Sequence, residues 1–266
     1  MNYQELEEIC KKVCELVKQT GAYIKGHMDD QHATEFFEKG IHDFVTRVDK
    51  ASEQMLVDGL SEILPGSGIM AEEDVANTVN KAYMWIIDPL DGTTNFIHSI
   101  PIYSISIALT HNNSTVLGVV YEINMQECFY AWQGSRAFLN GKEIAVSDTG
   151  NMDHALFATG FPYYDYSRMA PYMELFSYLA RNTSGLRRLG SAAVDLAYVA
   201  CGRFEGFYEY GLHAWDVAAG SFIVQQAGGK VCDFGGGENF VYGGEIIATN
   251  NVIFNTFYST VKQFFK

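Results

Sequence analysis

The sequence is short of positive charge: 18 lysines and arginines stand against 32 aspartates and glutamates, which gives a net charge of −14. A protein that held nucleic acid through its charge would show the opposite balance, so we expect no nucleic-acid partner. A ligand that carries phosphate would have to be bound through cations or through backbone N–H groups. The composition therefore argues against a charge-driven polyanion binder but allows an enzyme that acts on small phosphates.

Long apolar runs and paired cysteines are also missing. No stretch approaches the roughly 18 apolar residues of a membrane span, and the acidic start MNYQELEEIC does not have the layout of a signal sequence. The five cysteines form no CxxC motif, which fits a reducing compartment. Cys10 and Cys14 share a helix face with Leu6 and Val13, so we predict that they are buried rather than metal ligands. These absences predict a cytoplasmic protein without a membrane span.

The sequence does contain enough apolar material for a large core, with 48% hydrophobic residues over 266 positions. Apolar residues recur at helical spacing in LEEICKKVCELV and MLVDGLSEIL, which predicts two helices in the first part of the chain. Further stretches predict an antiparallel meander: SISIALT, STVLGVVYEI, ECFYAW and AFLNGKEIAVS. Within the last of these, Asn140-Gly141 is typical of a tight hairpin turn.

After about residue 150 the pattern changes to an alternation of strands and helices. Sheets covered by helices in this order are typical of a layered mixed α and β fold. We predict one domain, residues 1–266, with two lobes of about 1–150 and 151–266.

Two aspartates three residues apart follow a buried strand in WIIDPLDG. The run 83–87 is apolar without alternation, as in a strand buried on both faces, so Asp88 lies where that strand leaves the core. Pro89 and Gly92 allow the chain to turn at once and to bring Asp91 to the same cavity. Two like charges ~4 Å apart repel by about 4 kcal/mol at an effective dielectric near 20. An acidic surface turn would separate them into water, whereas here a divalent cation, most often Mg²⁺, would resolve the repulsion.

Other acids lie at the ends of predicted elements. Glu72 and Glu73 end a predicted strand, and Asp216 in AWDVAAG starts a predicted helix, whose dipole favours the charged carboxylate. Each feature alone is common on protein surfaces. Their joint occurrence at element ends predicts a shared metal site.

Two of these stretches carry a family resemblance. DPLDGTTNF resembles the first signature of the inositol monophosphatase family, D-P-[IL]-D-G-[ST]-x-N-F, and WDVAAG resembles the second, W-D-x-A-A-G. The similarity continues through KGIHDFVTRVDKASE, AEED and LGSAAVDLAYVACGRFEGFYEYGLHAWD, so that it spans nearly the whole chain in the family's order. Ala71 is a small departure, since the family often has glycine before its glutamate pair. The resemblance implies a five-layer αβαβα sugar-phosphatase fold and Mg²⁺-dependent hydrolysis of phosphomonoesters, with two or three Mg²⁺ per site.

The resemblance also implies roles for individual residues. The implied metal ligands are Glu72, Asp88, the backbone carbonyl of Leu90, Asp91 and Asp216. The implied catalytic group comprises Glu72, Asp49 and Thr93, with Asp49 supporting both the attacking water and Thr93. The backbone N–H groups of Gly92, Thr93 and Thr94 would hold the phosphate. The implied contacts to the rest of the substrate are Asp91, Ser191, Ala192, Glu209 and Asp216, with Glu209 facing the hydroxyl groups of inositol.

The chemistry of the residues agrees with these roles. Two cations ~3.5–4 Å apart can activate water and stabilise a leaving alkoxide, and a helix start after Asp91 suits a phosphate dianion. The sequence offers no plausible Ser-His-Asp or Cys-His group. His213, near Asp216, is more typical of a hydrogen-bonded structural histidine than of a ligand. Lys39 fits either a loop over the phosphates or a solvated surface.

Three functions remain open from the sequence. The favoured one is an inositol 1-phosphatase, a phosphoric monoester hydrolase that also accepts related polyol or sugar monophosphates, sensitive to lithium and homodimeric as the family resemblance implies. The second is another phosphatase of the superfamily, acting on a 3′(2′),5′-bisphosphate nucleotide, fructose 1,6-bisphosphate, histidinol phosphate or an inositol-lipid headgroup; TTNF after the DPLDG turn favours the inositol group over the nucleotidases. The third is a non-catalytic interaction protein, against which the complete ligand set argues.

Overall fold

The computed structural model describes residues 1–28, 36–40, 43–73 and 81–265, with the backbone alone at 36–40 and 43–45. The helices in these ranges are α1 (Tyr3–Gly26), α2 (Arg47–Ile63), α3 (Thr93–Ile97), α4 (Met169–Asn182), α5 (Ala192–Ala200), α6 (Ala214–Gln226) and α7 (Phe254–Phe264). A two-stranded antiparallel hairpin, β1 (Phe36–Gly40) and β2 (Asp43–Thr46), precedes α2. None of the described helices is long and apolar enough to cross a membrane.

Among the described residues, the first large sheet has seven strands in chain order. They are β3 (Gly68–Ala71), β4 (Tyr83–Asp91), β5 (Ser104–His111), β6 (Ser114–Glu122), β7 (Glu127–Trp132), β8 (Ala137–Leu139) and β9 (Lys142–Ile144). All neighbours are antiparallel except β3 and β4. The predicted meander is confirmed, and the turn between β8 and β9 has positive φ at both Asn140 (48°) and Gly141 (82°), as a tight hairpin requires.

In the part of the chain that the structure describes, the second sheet has five strands in the order β11-β10-β12-β14-β13. They are β10 (Leu156–Thr159), β11 (Gly185–Arg187), β12 (Gly206–Tyr210), β13 (Lys230–Cys232) and β14 (Glu245–Thr249). Strand β10 runs parallel to β11 and β12, whereas β14 runs antiparallel to β12 and β13. The boundary between the two sheets therefore falls between β9 and β10.

Five layers result from the way the helices cover these sheets. Helices α1 and α2 pack on one face of the seven-stranded sheet, α5 and α6 lie between the two sheets, and α4 and α7 cover the far face of the five-stranded sheet. The central pair is rich in alanine and apolar almost all round, as expected of helices buried on both sides. The predicted mixed α and β fold with αβαβα layers is confirmed.

Glycines set the close approach within the middle layer. A Cβ atom at Gly118 of β6 would lie 2.7 Å from the carbonyl oxygen of Ala219 in α6, and one at Gly220 would lie 2.6 Å from Cβ of Leu196 in α5. Both contacts are shorter than a side chain allows, so these glycines let α6 pack directly on the sheet and on α5. In the outer layer, Cys10 and Cys14 are buried in α1, as predicted.

Candidate active site

A bulge in β4 brings the two aspartates of DPLD to one side of the sheet. Asp88 pairs with Ser106 of β5 and Asp91 with Ser104, so β4 contains one extra residue between these pairs. In a regular strand, residues three apart point to opposite faces, whereas the bulge cancels this alternation. The predicted turn immediately after Asp88 was wrong: the strand continues through Pro89, whose missing N–H is tolerated at a bulge, and ends at Asp91.

The bulge places both carboxylates beside Asp216. Asp88, Asp91 and Asp216 each offer one carboxylate oxygen, and these three atoms lie within 4.8 Å of one another. Asp216 is the third residue of α6, where it accepts a hydrogen bond of 2.6 Å from the backbone N–H of His213. Glu72 follows β3, the parallel neighbour of β4, and lines the same cleft. Carboxylate oxygens grouped in this way suit a hard divalent cation.

Asp88 is the most deeply buried of the three aspartates. It is 1% exposed, and its Oδ1 accepts a hydrogen bond of 2.9 Å from the N–H of Leu90. Burial, together with the charges of Glu72, Asp91 and Asp216, raises the pKa of Asp88 well above its usual range. The site therefore favours a bound proton or a bound cation over four free negative charges.

Asp91 is held from the opposite side by the start of α5. Its Oδ2 accepts hydrogen bonds from the hydroxyl of Ser191 (2.6 Å) and from the N–H of Ala193 (2.7 Å). Ser191 is also the N-cap of α5, where its hydroxyl accepts from the N–H of Val194. Burial raises the pKa of Asp91 to about 6, against the opposing effect of these hydrogen bonds. Asp91, a predicted metal ligand, and Ser191, a predicted substrate contact, are thus joined by a direct hydrogen bond.

Asp49 lies behind the cluster and reaches it through Thr93. The Oγ1 atom of Thr93 is 3.0 Å from Oδ1 of Asp49 and 3.0 Å from the carbonyl oxygen of Leu90. The other oxygen of Asp49 accepts hydrogen bonds from the N–H and the hydroxyl of Thr46, the N-cap of α2. Burial raises the pKa of Asp49 above its usual range. Asp49 therefore holds the Thr93 hydroxyl in place without lining the cleft itself.

The chain reverses at Gly92, which has φ of 98° and is the N-cap of α3. A Cβ atom there would lie 3.1 Å from the carbonyl oxygens of Gly190 and Ile102, so both conformation and space require glycine. Gly92 provides no side-chain cap for α3, and Gly92, Thr93 and Thr94 all line the cleft. The first N–H groups of α3 are therefore not capped by the residue that precedes them.

Glu209 is a further buried acidic residue that lines the cleft. It belongs to β12, is 7% exposed and packs so tightly against Gly160 that a Cβ atom there would lie 1.9 Å from its Oε1. Burial raises the pKa of Glu209 to about 8, partly offset by the nearby Arg188. Arg188 donates a hydrogen bond of 2.8 Å to the hydroxyl of Tyr163. The cleft therefore also contains a buried carboxyl group with a guanidinium group nearby.

The structure brings the predicted site residues together in one cleft, except Asp49, which contacts the cleft residue Thr93 from behind. Those that line it are Glu72, Asp88, Leu90, Asp91, Gly92, Thr93, Thr94, Ser191, Ala192, Glu209 and Asp216. His213 also lines the cleft; it stacks on Trp215 at 4.7 Å and contacts the hydroxyl of Tyr164 at 2.9 Å, in keeping with a structural histidine. The side chain of Lys39 lies outside the described residues. The chemical roles assigned from the sequence remain predictions.

The residues of the cleft that were missed from the sequence include Gly160, Tyr163, Arg188 and Asp195. Asp195 carried a usable signal, because it is the only charged residue in the apolar segment SAAVDLAYVA and lies four positions after Ser191, where the helix was predicted to start. The other three come from loops, whose side-chain positions follow no periodic pattern.

Comparisons with known proteins agree with this fold. The model of the "Inositol monophosphatase family" matches residues 5–264. Proteins called "Nus factor SuhB" are similar: the one from Pseudomonas aeruginosa is 42% identical over 230 residues, 85% of each chain. That from Escherichia coli K12 is 41% identical over 234 residues, 88% of each chain.

Solved structures give the same result. The extragenic suppressor protein suhB from Bartonella henselae superposes with a TM-score of 0.91 at 34% identity, covering 95% of this chain and 98% of that one. An inositol monophosphatase from Anabaena superposes with a TM-score of 0.85 at 36% identity, covering 97% of this chain and 96% of that one. On its sequence, its layers and these matches, the chain belongs to the inositol monophosphatase family.

Proposed function

We propose that this protein is a Mg²⁺-dependent phosphomonoesterase that hydrolyses inositol 1-phosphate or a related polyol or sugar monophosphate. The observation that carries the proposal is the convergence of Asp88, Asp91 and Asp216 within 4.8 Å in a cleft that also contains Thr93. Membership of the family supports a phosphatase. The Anabaena relative, itself called an inositol monophosphatase, favours inositol phosphate as the substrate.

The oxygen-rich ligand set suits Mg²⁺. The cations would be held by Glu72, Asp88, the carbonyl of Leu90, Asp91 and Asp216. When bound, Mg²⁺ neutralises phosphate charge and increases the acidity of water. Burial and the charges of neighbouring carboxylates raise the pKa of Asp88, and a bound cation would offset the repulsion between these charges. We propose two or three ions per site.

The residues around Thr93 would position the attacking water. If the Thr93 hydroxyl donates its single proton to Asp49, 3.0 Å away, its oxygen can accept a hydrogen bond from water. The water is then oriented, and Asp49 lies one hydrogen bond further on to accept a proton. The N–H groups of Gly92, Thr93 and Thr94 would bind the phosphate oxygens. Glu209, Ser191 and Ala192 would contact the leaving alcohol.

Several finer properties belong to the same proposal. We propose a homodimer in the cytoplasm, inhibited by lithium at millimolar concentration. Other phosphatases of the superfamily remain the nearest alternative, because the leaving alcohol could also be a nucleotide, a sugar phosphate, histidinol or a lipid headgroup.

A second role is suggested by the names of the relatives. Proteins at 41–42% identity are called Nus factor SuhB, a name that refers to a factor rather than to a reaction. We propose that a macromolecular partner, protein or nucleic acid, is a second candidate for this chain. Our expectation of no nucleic-acid partner rests on net charge alone and concerns binding driven by that charge.

The decisive experiment measures phosphate release with and without Mg²⁺. The substrates are inositol 1-phosphate, fructose 1,6-bisphosphate, adenosine 3′,5′-bisphosphate, histidinol phosphate and a phosphoinositide. We expect turnover of inositol 1-phosphate that disappears with chelator and falls more than tenfold in Asp91→Asn, a loss above about 1.4 kcal/mol. Full turnover in chelator would overturn the proposal. An Asp91→Asn chain that lost turnover yet restored growth of cells lacking the protein would favour the second role.

A further inference from the structure

Asp195 is a buried acid in the wall of the cleft that the assigned roles leave unused. It lies in the first half of α5, four residues after the N-cap Ser191, and is 1% exposed. It is one of the residues that line the cleft. Its Oδ1 atom is buried and has no hydrogen-bond partner among the described residues.

An unpartnered buried oxygen needs a physical explanation. A buried polar group without a partner costs about 1–3 kcal/mol, so such atoms are rare in folded proteins. Around Asp195 the helix is apolar, and a hydrophobic residue would fit its pattern without that cost. A ligand in the cleft would supply the missing donor.

The charged groups that act on Asp195 all belong to the same cleft. They are Glu209, Asp91 and Arg188. Glu209 is fixed against Gly160, and Asp91 is fixed by Ser191 and Ala193 at the start of the same helix. Asp195 therefore lies in a region bounded by a predicted metal ligand and by the residue predicted to contact the leaving alcohol.

We propose that Asp195 is a specificity-determining residue whose free carboxyl oxygen accepts a hydrogen bond from a hydroxyl group of a polyol leaving group. This inference rests on the proposed phosphatase function and extends the contact predicted for Glu209. If Glu209 and Asp195 each accept a hydrogen bond from the leaving alcohol, the substrate must carry at least two hydroxyl groups besides the phosphorylated one.

A neutral hydroxyl fits this position better than an ammonium group. Burial and the charges of Glu209 and Asp91 hold the pKa of Asp195 well above its usual range, and burial raises the pKa of Glu209 to about 8. A cation entering here would meet the guanidinium of Arg188, which lines the same cleft. A polyol phosphate is thus preferred over an aminoalkyl phosphate such as histidinol phosphate.

The test compares Asp195→Ala with Asp195→Asn. The asparagine side chain is the neutral isostere and keeps an acceptor oxygen, whereas alanine removes it. On inositol 1-phosphate we expect kcat/KM to fall at least about tenfold in Asp195→Ala and to stay within about threefold of the parent in Asp195→Asn. On an aryl phosphate, which has no hydroxyl to donate, both variants should match the parent. Histidinol phosphate should be a poorer substrate than inositol 1-phosphate.

The outcomes separate this inference from the proposed function. If Asp195→Ala lowers aryl and inositol phosphate hydrolysis equally, or neither, Asp195 is structural and the inference is wrong. If the parent hydrolyses no phosphomonoester, the proposed function fails instead. The inference is then judged by calorimetric binding of inositol 1-phosphate with Mg²⁺: tenfold weaker binding in Asp195→Ala with recovery in Asp195→Asn supports it, and equal or absent binding overturns it.

Discussion

The Thr93 hydroxyl is the smallest group on which the proposed mechanism depends. Its oxygen lies 3.0 Å from both Asp49 and the carbonyl of Leu90, so one proton is shared between two acceptors. We expect Thr93→Ala to lower kcat by roughly 10²-fold or more, the usual size of a lost proton-transfer group. Thr93→Ser keeps the hydroxyl and should retain most activity. Steady-state kinetics with a matched Tm for each variant would check this; a fully active Thr93→Ala would remove Thr93 from the mechanism.

Gly160 offers a test of Glu209 without changing Glu209. A Cβ atom at Gly160 would lie 1.9 Å from Oε1 of Glu209, so Gly160→Ala must displace the carboxyl group. We expect kcat/KM for inositol 1-phosphate to fall at least about tenfold while hydrolysis of an aryl phosphate changes little. Gly26→Ala is the control, because a Cβ atom there has no neighbour within 4 Å. Equal losses on both substrates would show that Gly160 supports the fold or the metal site.

At the residue scale, the sequence predicted the identity of the acids better than their geometry. Asp88 and Asp91 were predicted to share a cavity, but through a turn rather than through the β4 bulge that places them there. The bond from Ser191 to Asp91 spans 100 residues, and no local pattern contains that information. Asp195 was missed because one acid in a helix is more often solvated than buried.

At the element scale, the N-cap of α5 links the stability of that helix to the candidate site. The Ser191 hydroxyl caps the helix and donates to Asp91 at 2.6 Å. Ser191→Ala should reduce the free energy of unfolding by about 0.5–2 kcal/mol, as for other N-caps, and should also weaken Mg²⁺ activation. Asn2→Ala removes the N-cap of α1, whose side chain bonds Gln4 and Glu5 on an exposed face. It should cost similar stability and leave the Mg²⁺ dependence unchanged.

Denaturant unfolding and the Mg²⁺ concentration for half-maximal activity would separate these effects. If Ser191→Ala and Asn2→Ala changed both quantities alike, the bond from Ser191 to Asp91 would have no role in holding the ligand.

The length of a helix or strand decided whether it could be predicted from the sequence. The long helices and the strands of the meander were found because their apolar residues repeat over many positions. Strands β11 and β13, of three residues each, were missed, as was the β1–β2 hairpin. Such short strands are formed by pairing with a neighbour, and the sequence of the segment alone does not specify that partner.

At the scale of the whole molecule, the buried carboxylates that the proposed metal site needs also reduce the stability of the metal-free protein, because their charges repel one another. The chain carries a net charge of −14, and Asp88 lies 1% exposed among other carboxylates. The alternation of elements predicted layers, and the resemblance implied five of them. The sequence could not place α5 and α6 so that acids from both halves of the chain meet. These carboxylates can lie close together only if protons or cations neutralise part of their charge, and a last prediction tests this.

Asp88→Asn should stabilise the metal-free protein while abolishing activity. The pKa of Asp88 is raised in the folded state, so the folded protein holds the proton on Asp88 more tightly than the unfolded chain does. The stability that this proton provides is fully present below the ordinary aspartate pKa of about 3.9 and is lost as the pH rises. In chelator, the Tm advantage of Asp88→Asn over the parent should therefore grow between pH 5 and pH 8. With Mg²⁺ the parent should regain Tm, since a ligand that binds only the folded state stabilises it, and the variant should respond less. Asp58→Asn, on an exposed face of α2, makes the same change in net charge and should show neither effect. An Asp88→Asn protein less stable than the parent in chelator at pH 8 would mean that hydrogen bonding, and not charge repulsion, dominates at this position.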